Sequence, residues 1–211
     1  MKTPEAVCQV LDHALVHHKI ARLRAETTPP SEFKTLLEDL SILLFYEATR
    51  RLPTSNCVVK TPLMEAEGQK LKQAVLLVPV LRAGLGMSNG ISRVFPEALV
   101  GMIGMYRDHN TLIPVDYYLR LPDRLSDKSV FLLDPMLATG GSAISAIDKL
   151  KNRGAASITM LAIISAPEGI AALHKAHPDA AVFTAAKDKQ LNESGYILPD
   201  LGDAGDRYFG V

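Results

Sequence analysis

The segment Val130-Phe-Leu-Leu-Asp-Pro-Met-Leu-Ala-Thr-Gly-Gly-Ser142 constrains the fold more than any other part of this chain. Its four consecutive apolar residues, Val130, Phe131, Leu132 and Leu133, predict a strand buried on both faces, as in a parallel sheet. Asp134 stands where that strand ends, and Thr139, Gly140, Gly141 and Ser142 form a small polar turn. Ala143, Ile144, Ile147 and Leu150 then recur at helical spacing, with Gly154 placed to stop the helix. A strand, a glycine-rich turn and a helix start make an anion site, because the first-turn N–H groups lack helical partners and the dipole is positive there. The glycines admit close backbone approach, and the Thr139 and Ser142 hydroxyls add donors. Asp134 is an acceptor at the carboxyl end of a strand, where ligands of open α/β sheets bind. Phosphate donors beside a hydroxyl-accepting carboxylate suit a phosphorylated sugar. No lysine follows the glycines, so the loop is not a Walker A motif, and it lacks the Gly-x-Gly-x-x-Gly pattern. On these residues alone, an ordinary glycine-rich strand–turn–helix connection stays open as the alternative.

The surrounding pattern repeats the alternation. Strands are predicted over 74–80, 99–106, 158–164 and 181–185, with a short one over 58–61 and a β-rich stretch over 115–121. Helices are predicted over 84–94 and 168–175, and another carries Phe33, Leu36, Leu37, Leu40, Leu43 and Leu44, with Ser31 as its cap. The expected fold class is α/β, a mostly parallel central sheet with helices on both faces. Residues 1–30 read as a partly helical amino-terminal arm, and the final 20 residues, rich in Gly, Asp and Pro, as ordered loop rather than helix. Arg82 follows one apolar strand and Arg107 another, each where a planar guanidinium suits a phosphate or diphosphate. The alternative for each is a solvated arginine at a turn. His13 and His17 are four apart without evident further metal ligands, and His174 and His177 lie near a helix end, where they would complement its dipole.

Composition narrows the function classes. Lysines and arginines equal aspartates and glutamates at 23 each, so no charge excess points to nucleic acid or a membrane surface. Cys8 and Cys57 match no metal spacing and read as free thiols in a reducing compartment. No signal peptide and no transmembrane stretch is apparent, which makes the cytoplasm the expected location.

Several separated blocks then share one resemblance. Tyr46-Glu-Ala-Thr-Arg50, Leu81-Arg-Ala-Gly-Leu-Gly-Met87, Tyr106-Arg-Asp108, the 134–142 loop, Ala166-Pro-Glu-Gly169 and Gly202-Asp-Ala-Gly-Asp-Arg207 occur in this order. The loop resembles the phosphoribosyl diphosphate (PRPP) loop of type I phosphoribosyltransferases. With Pro135 in place of a second acid, the chain is similar to the uracil phosphoribosyltransferase family from about His13 to Val211. The resemblance implies one domain over 1–211, with 1–30 as the arm, 107–122 as a flexible flap hairpin and 190–211 as the uracil-binding loop. It implies pyrimidine salvage, in which uracil and PRPP give UMP and diphosphate.

By that resemblance Arg82, Arg107, Asp134, Pro135, Met136, Leu137, Ala138, Thr139, Gly140, Gly141, Ser142 and Asp203 bind PRPP. Ile197, Gly202, Asp203 and Ala204 meet uracil, and Asp203, Arg107 and Asp134 are the catalytic group. Mg²⁺ is expected mainly on PRPP and water, with Asp203 as a candidate contact. A homodimer or larger homo-oligomer is expected, and GTP is a candidate allosteric effector without a separate nucleotide motif. The family's glycine before the Leu-Gly-Asp-Ala turn is replaced by Asp200, which tolerates a positive φ better than most residues, so the turn is expected to persist. Two alternatives stay open: a PRPP or UMP sensor on the same fold, and the same chemistry on another base. Orotate would need a cation for its carboxylate, and Arg207 is the obvious one in the carboxyl-terminal loop.

Overall fold

The computed structural model describes residues 8–107 and 114–211, the side chains of Arg107 and Pro114 excepted. A short strand β1 (Cys8–Val10) precedes helices α1 (Ala14–Arg24) and α2 (Pro30–Ala48), then a hairpin, β2 (Thr54–Lys60) and β3 (Glu65–Leu71). The central run is β4 (Ala74–Leu81), α3 (Gly84–Val94), β5 (Leu99–Val100), β6 (Met102–Arg107) and β7 (Pro114–Arg120). Next come β8 (Lys128–Leu133), β9 (Met136–Leu137), α4 (Gly141–Asn152), β10 (Ser157–Ser165), α5 (Pro167–Ala176) and β11 (Ala181–Lys187). A small pair, β12 (Gln190–Leu191) and β13 (Ile197–Leu198), leads to α6 (Ala204–Phe209).

The main sheet runs β1-β11-β10-β8-β4-β6-β7, parallel at every step except β6–β7. β4 is apolar throughout, and β8 and β10 are mostly apolar along their centres, because both faces of the sheet are covered there. Val75 and Leu77 of β4 join Phe131 and Leu133 of β8 in one core with Leu23, Phe33, Leu40, Met87 and Ile91 of α1, α2 and α3. Their alternates Leu76, Val78, Val130 and Leu132 enter a second core under Ala146, Ile147 and Leu150 of α4 and Leu173 of α5. Two buried layers on opposite faces of one sheet are the expected α/β arrangement.

Several local expectations change. The helix α2 starts with Pro30 in its first turn after Pro29, so Ser31 lies inside the helix and is not its cap; proline's fixed φ and missing N–H suit that first turn. The apolar run 99–106 divides at Gly101 into β5 and β6, each pairing with β4. The carboxyl-terminal loop contains a helix after all: α6 is capped by Asp203, whose Oδ1 accepts from the Asp206 N–H at 2.8 Å. Its Tyr208 hydroxyl donates to Glu38 of α2 at 2.9 Å. His174 lies in the last turn of α5, and burial lowers its pKa, which works against the charge that a dipole partner carries. His13 caps α1, its Nδ1 accepting from Leu15 N–H at 3.1 Å, and His17 faces Asp12. Cys8 and Cys57 are free. The stem of the 107–122 segment is the antiparallel β6–β7 pair, and the turn residues Asp108, His109, Asn110 and Thr111 lie outside the described residues.

Candidate active site

Three neighbouring parallel strands, β8, β4 and β6, end on the same edge of the sheet. Asp134 follows the first, Arg82 follows the second and Arg107 closes the third. The sequence therefore delivers one carboxylate and two arginines to adjacent strand ends, where a ligand meets several elements at once. The backbone of Arg107 is in register with Pro114, while its side chain lies outside the described residues.

The Asp134 loop is built from backbone contacts. After β8 the chain crosses to β10: Asp134 N–H donates to Leu161 O at 3.2 Å, and Pro135 O accepts from both Ile163 and Ile164 at 3.0 Å. Ala166 N–H then donates to Leu137 O at 2.9 Å. Gly140 takes the left-handed conformation at φ 84° and admits the chain to α4, whose start no side chain caps. Gly169, in the first turn of α5, lies against the same loop; a Cβ there would sit 2.2 Å from Ala138 O. Only glycine permits that approach, which makes Ala166-Pro-Glu-Gly169 the back wall of the loop. A cavity of about 100 Å³ is left over the loop, lined from Asp134 through Met136 to Ala143. It is small, polar and fronted by the uncapped N–H groups of a 12-residue helix, the makings of an anion cradle.

Asp134 is the unusual charge in this cavity. It accepts from Met136 N–H at 3.3 Å, and no described cation is paired with it. Burial pushes its carboxyl up to about 7, and the Met136 hydrogen bond offsets only part of that. A carboxylate that titrates near neutrality and lacks a counter-charge is well suited to accept a hydroxyl hydrogen from a ligand.

A second cavity, of about 430 Å³, opens beside Arg82 and is also lined by Tyr106, Tyr117, Asp203 and Gly205. Arg82 Nη2 donates to Asp206 Oδ1 at 2.7 Å, and its guanidinium lies over the Phe209 ring. Arg82 and Asp203, both expected among the PRPP-binding residues, thus line one space. Ile197 is fully buried in β13, which pairs with β12. Gly202 has φ 80° and Ala204 is buried at the start of α6. Asp200 has φ 71°, the positive value its replacement of glycine required, and Leu198–Pro199 is cis. The turn persists with aspartate because Asp200 Oδ1 accepts from Leu201 N–H at 2.7 Å.

The structure also adds residues that sequence reasoning left unassigned. Arg24 and Asp188 meet across the turn at Asp200, and Glu168 Oε1 accepts from Leu191 N–H at 3.0 Å. Arg24 and Asp188 are 164 positions apart, so no local spacing could have linked them.

Residues 10–211 match the sequence model of a family described as uracil phosphoribosyltransferase. A uracil phosphoribosyltransferase of Dictyoglomus turgidum is 54% identical over 203 residues, covering 96% of this chain and 98% of that one. The solved AQ2163 protein of Aquifex aeolicus is 34% identical with a TM-score of 0.93, covering 97% and 99% of the two chains. An adenine phosphoribosyl transferase of Trypanosoma brucei, at 14% identity and TM-score 0.57 over 93% of this chain and 88% of that one, shares the fold.

Proposed function

The chain belongs to the uracil phosphoribosyltransferase family, and from that premise we propose that it joins uracil to PRPP, giving UMP and diphosphate. The observation that carries the site assignment is the pairing of Asp134 with an uncapped helix start in one small cavity. In this reading the N–H groups around Ala138, Thr139, Gly140, Gly141 and Ser142 hold the 5′-phosphate. Asp134 accepts from a ribose hydroxyl, and Arg82 with Arg107 neutralises the diphosphate. Uracil N1 bonds to C1 of the ribose as the C1–oxygen bond to diphosphate breaks, and the pyrimidine gives up its N1 proton. The protein contributes by holding the two reactants in line and stabilising the charge that develops on the leaving group.

Asp203 shares the Arg82 cavity, with one carboxylate oxygen engaged by the Asp206 N–H. We assign it to orienting the water or proton at uracil N1. Among the described residues no group of three His, Cys, Asp or Glu side chains stands together. In the same reading Mg²⁺ would be held chiefly by PRPP oxygens and water, with the free edge of the Asp203 carboxylate beside Arg82 as the protein's contact. When bound, Mg²⁺ supplies charge neutralisation at the diphosphate. The 107–122 segment, as a lid closing over PRPP, would keep water from the reacting sugar.

Base choice is read by backbone at Ile197 and the Gly202-Asp203-Ala204 turn, which complement uracil's two carbonyls and its N3–H. Cytosine would leave buried groups unpaired, at about 1–3 kcal/mol each. Arg207, the cation orotate would call on, instead donates to Leu201 O at 2.6 Å and Ala25 O at 2.7 Å, which favours the uncharged base. The test is UMP formation from uracil and PRPP with Mg²⁺, beside cytosine, orotate and hypoxanthine. Turnover with uracil is expected; PRPP or UMP binding without turnover would replace the enzyme by a sensor. A homo-oligomer belongs to the same reading, and sedimentation reads it directly. GTP as an effector is tested by the same assay with and without GTP.

Among the described residues, no helix is long and apolar enough to cross a membrane.

A further inference from the structure

The turn before Gly202 is gripped from outside its own segment. Arg24, the last residue of α1, forms a two-pronged ion pair with Asp188, its Nη1 reaching Asp188 Oδ2 at 2.9 Å. Asp188 is buried, and its Oδ2 also accepts from Asp200 N–H at 3.2 Å. Arg24 Nη1 donates in turn to Asp200 O, again at 3.2 Å. Both sides of the Asp200 residue are therefore fixed by one charge pair. At Leu201 a second guanidinium, Arg207, ties the next carbonyl to Ala25 O, just past the end of α1. None of these groups faces the phosphate loop in any described contact.

We propose that Arg24 and Asp188 are positioning residues for base recognition: they set the peptide units at Asp200 and so aim the Gly202-Asp203-Ala204 turn at the base. The inference rests on reading that turn as the uracil-binding element. A planar guanidinium is required, because it engages a carboxylate in two places while a donor remains for the Asp200 carbonyl. Lysine keeps the charge that balances buried Asp188 but is a single point donor on a flexible stem. Arg24→Lys therefore isolates orientation from charge. Arg24→Ala leaves Asp188 buried without a counter-charge and serves only as the severe comparison.

The experiment uses the full chain as wild type, Arg24→Lys and Arg24→Ala, with KM for uracil and for PRPP measured separately, cytosine as competing base, and a thermal melt of each protein. Arg24→Lys is expected to raise KM for uracil about ten-fold, as a misaimed binding group does. It should narrow the preference for uracil over cytosine, while KM for PRPP, which Asp203 of the same turn also touches in the proposed reading, rises clearly less than KM for uracil. A folded Arg24→Lys protein with unaltered uracil KM and base preference would overturn the proposal. So would a parallel rise in both KM values with a lowered melting temperature, which marks a general structural role. Absence of UMP formation by the wild type would refute the enzymatic reading itself, an outcome distinct from either.

Discussion

Replacing Asp134 by asparagine should stabilise the protein while abolishing its activity. Asparagine is nearly isosteric, and its side-chain oxygen can still accept from Met136 N–H. What disappears is a carboxyl whose pKa burial has raised from 3.8 to about 7. Between those values the folded chain holds a proton that the unfolded chain has released. Asp134's contribution to stability is therefore greatest below about pH 4, falls as the pH rises, and is a full penalty above about pH 7. At about 1.4 kcal/mol per pKa unit the ceiling is roughly 4 kcal/mol. Partial exposure of the carboxyl in its cavity reduces this to about 2 kcal/mol. For a chain of this size that is a rise in Tm of about 4–8 °C. Thermal melts of wild type and Asp134→Asn at about pH 8.5 and about pH 5 measure it, and the gain should shrink at the lower pH. An equal Tm difference at both pH values, or a destabilised variant at the higher one, would refute the buried-carboxylate reasoning.

Other outcomes follow from the same geometry. The pH profile of kcat/KM for PRPP should fall with acid through a group near 7, since ionised Asp134 is a stronger acceptor for a ribose hydroxyl than the protonated acid; a flat profile across that range excludes this role. Gly169→Ala forces a methyl against Ala138 O and Leu137 O, so KM for PRPP should rise about ten-fold or more in steady-state kinetics with uracil KM little altered. Arg82→Ala should lower kcat/KM about 100-fold. Its exposed ion pair with Asp206 implies a stability change within about 0.5 kcal/mol, read from denaturant titration. Asp200→Ala should cost about 1–2 kcal/mol in the same titration, because alanine resists the positive φ, whereas Asp200→Gly should be nearly neutral.

The sheet and the strand, turn and helix around Asp134 were legible because their signals are local. The run into Leu81 is apolar on both faces and so announces a central strand, and α3 follows over the residues its helical spacing marked. The loop at Asp134 carries strand end, turn and helix start within 13 consecutive residues. Elements stabilised from a distance were not legible. The strand β3 is mostly polar and pairs only with β2, away from the main sheet, so no buried apolar run marks it. Six residues with Gly and Asp make α6, held by the Asp203 cap and by Tyr208 on Glu38. Two adjacent prolines hid the start of α2, since the first turn takes proline and needs no side-chain cap there. The Arg24–Asp188 pair could be found only in three dimensions.

The contacts around Asp200 also span the order of synthesis. The loop at Asp134 and its back wall come from one stretch, 130–169, joined by near-neighbour strands and helices. The turn at Asp200 is held instead by Arg24, made early on the ribosome, and by residue 188, made late. On the proposed assignment, the segment read as the sugar-phosphate site is synthesised before the contacts that aim the segment read as the base site are available.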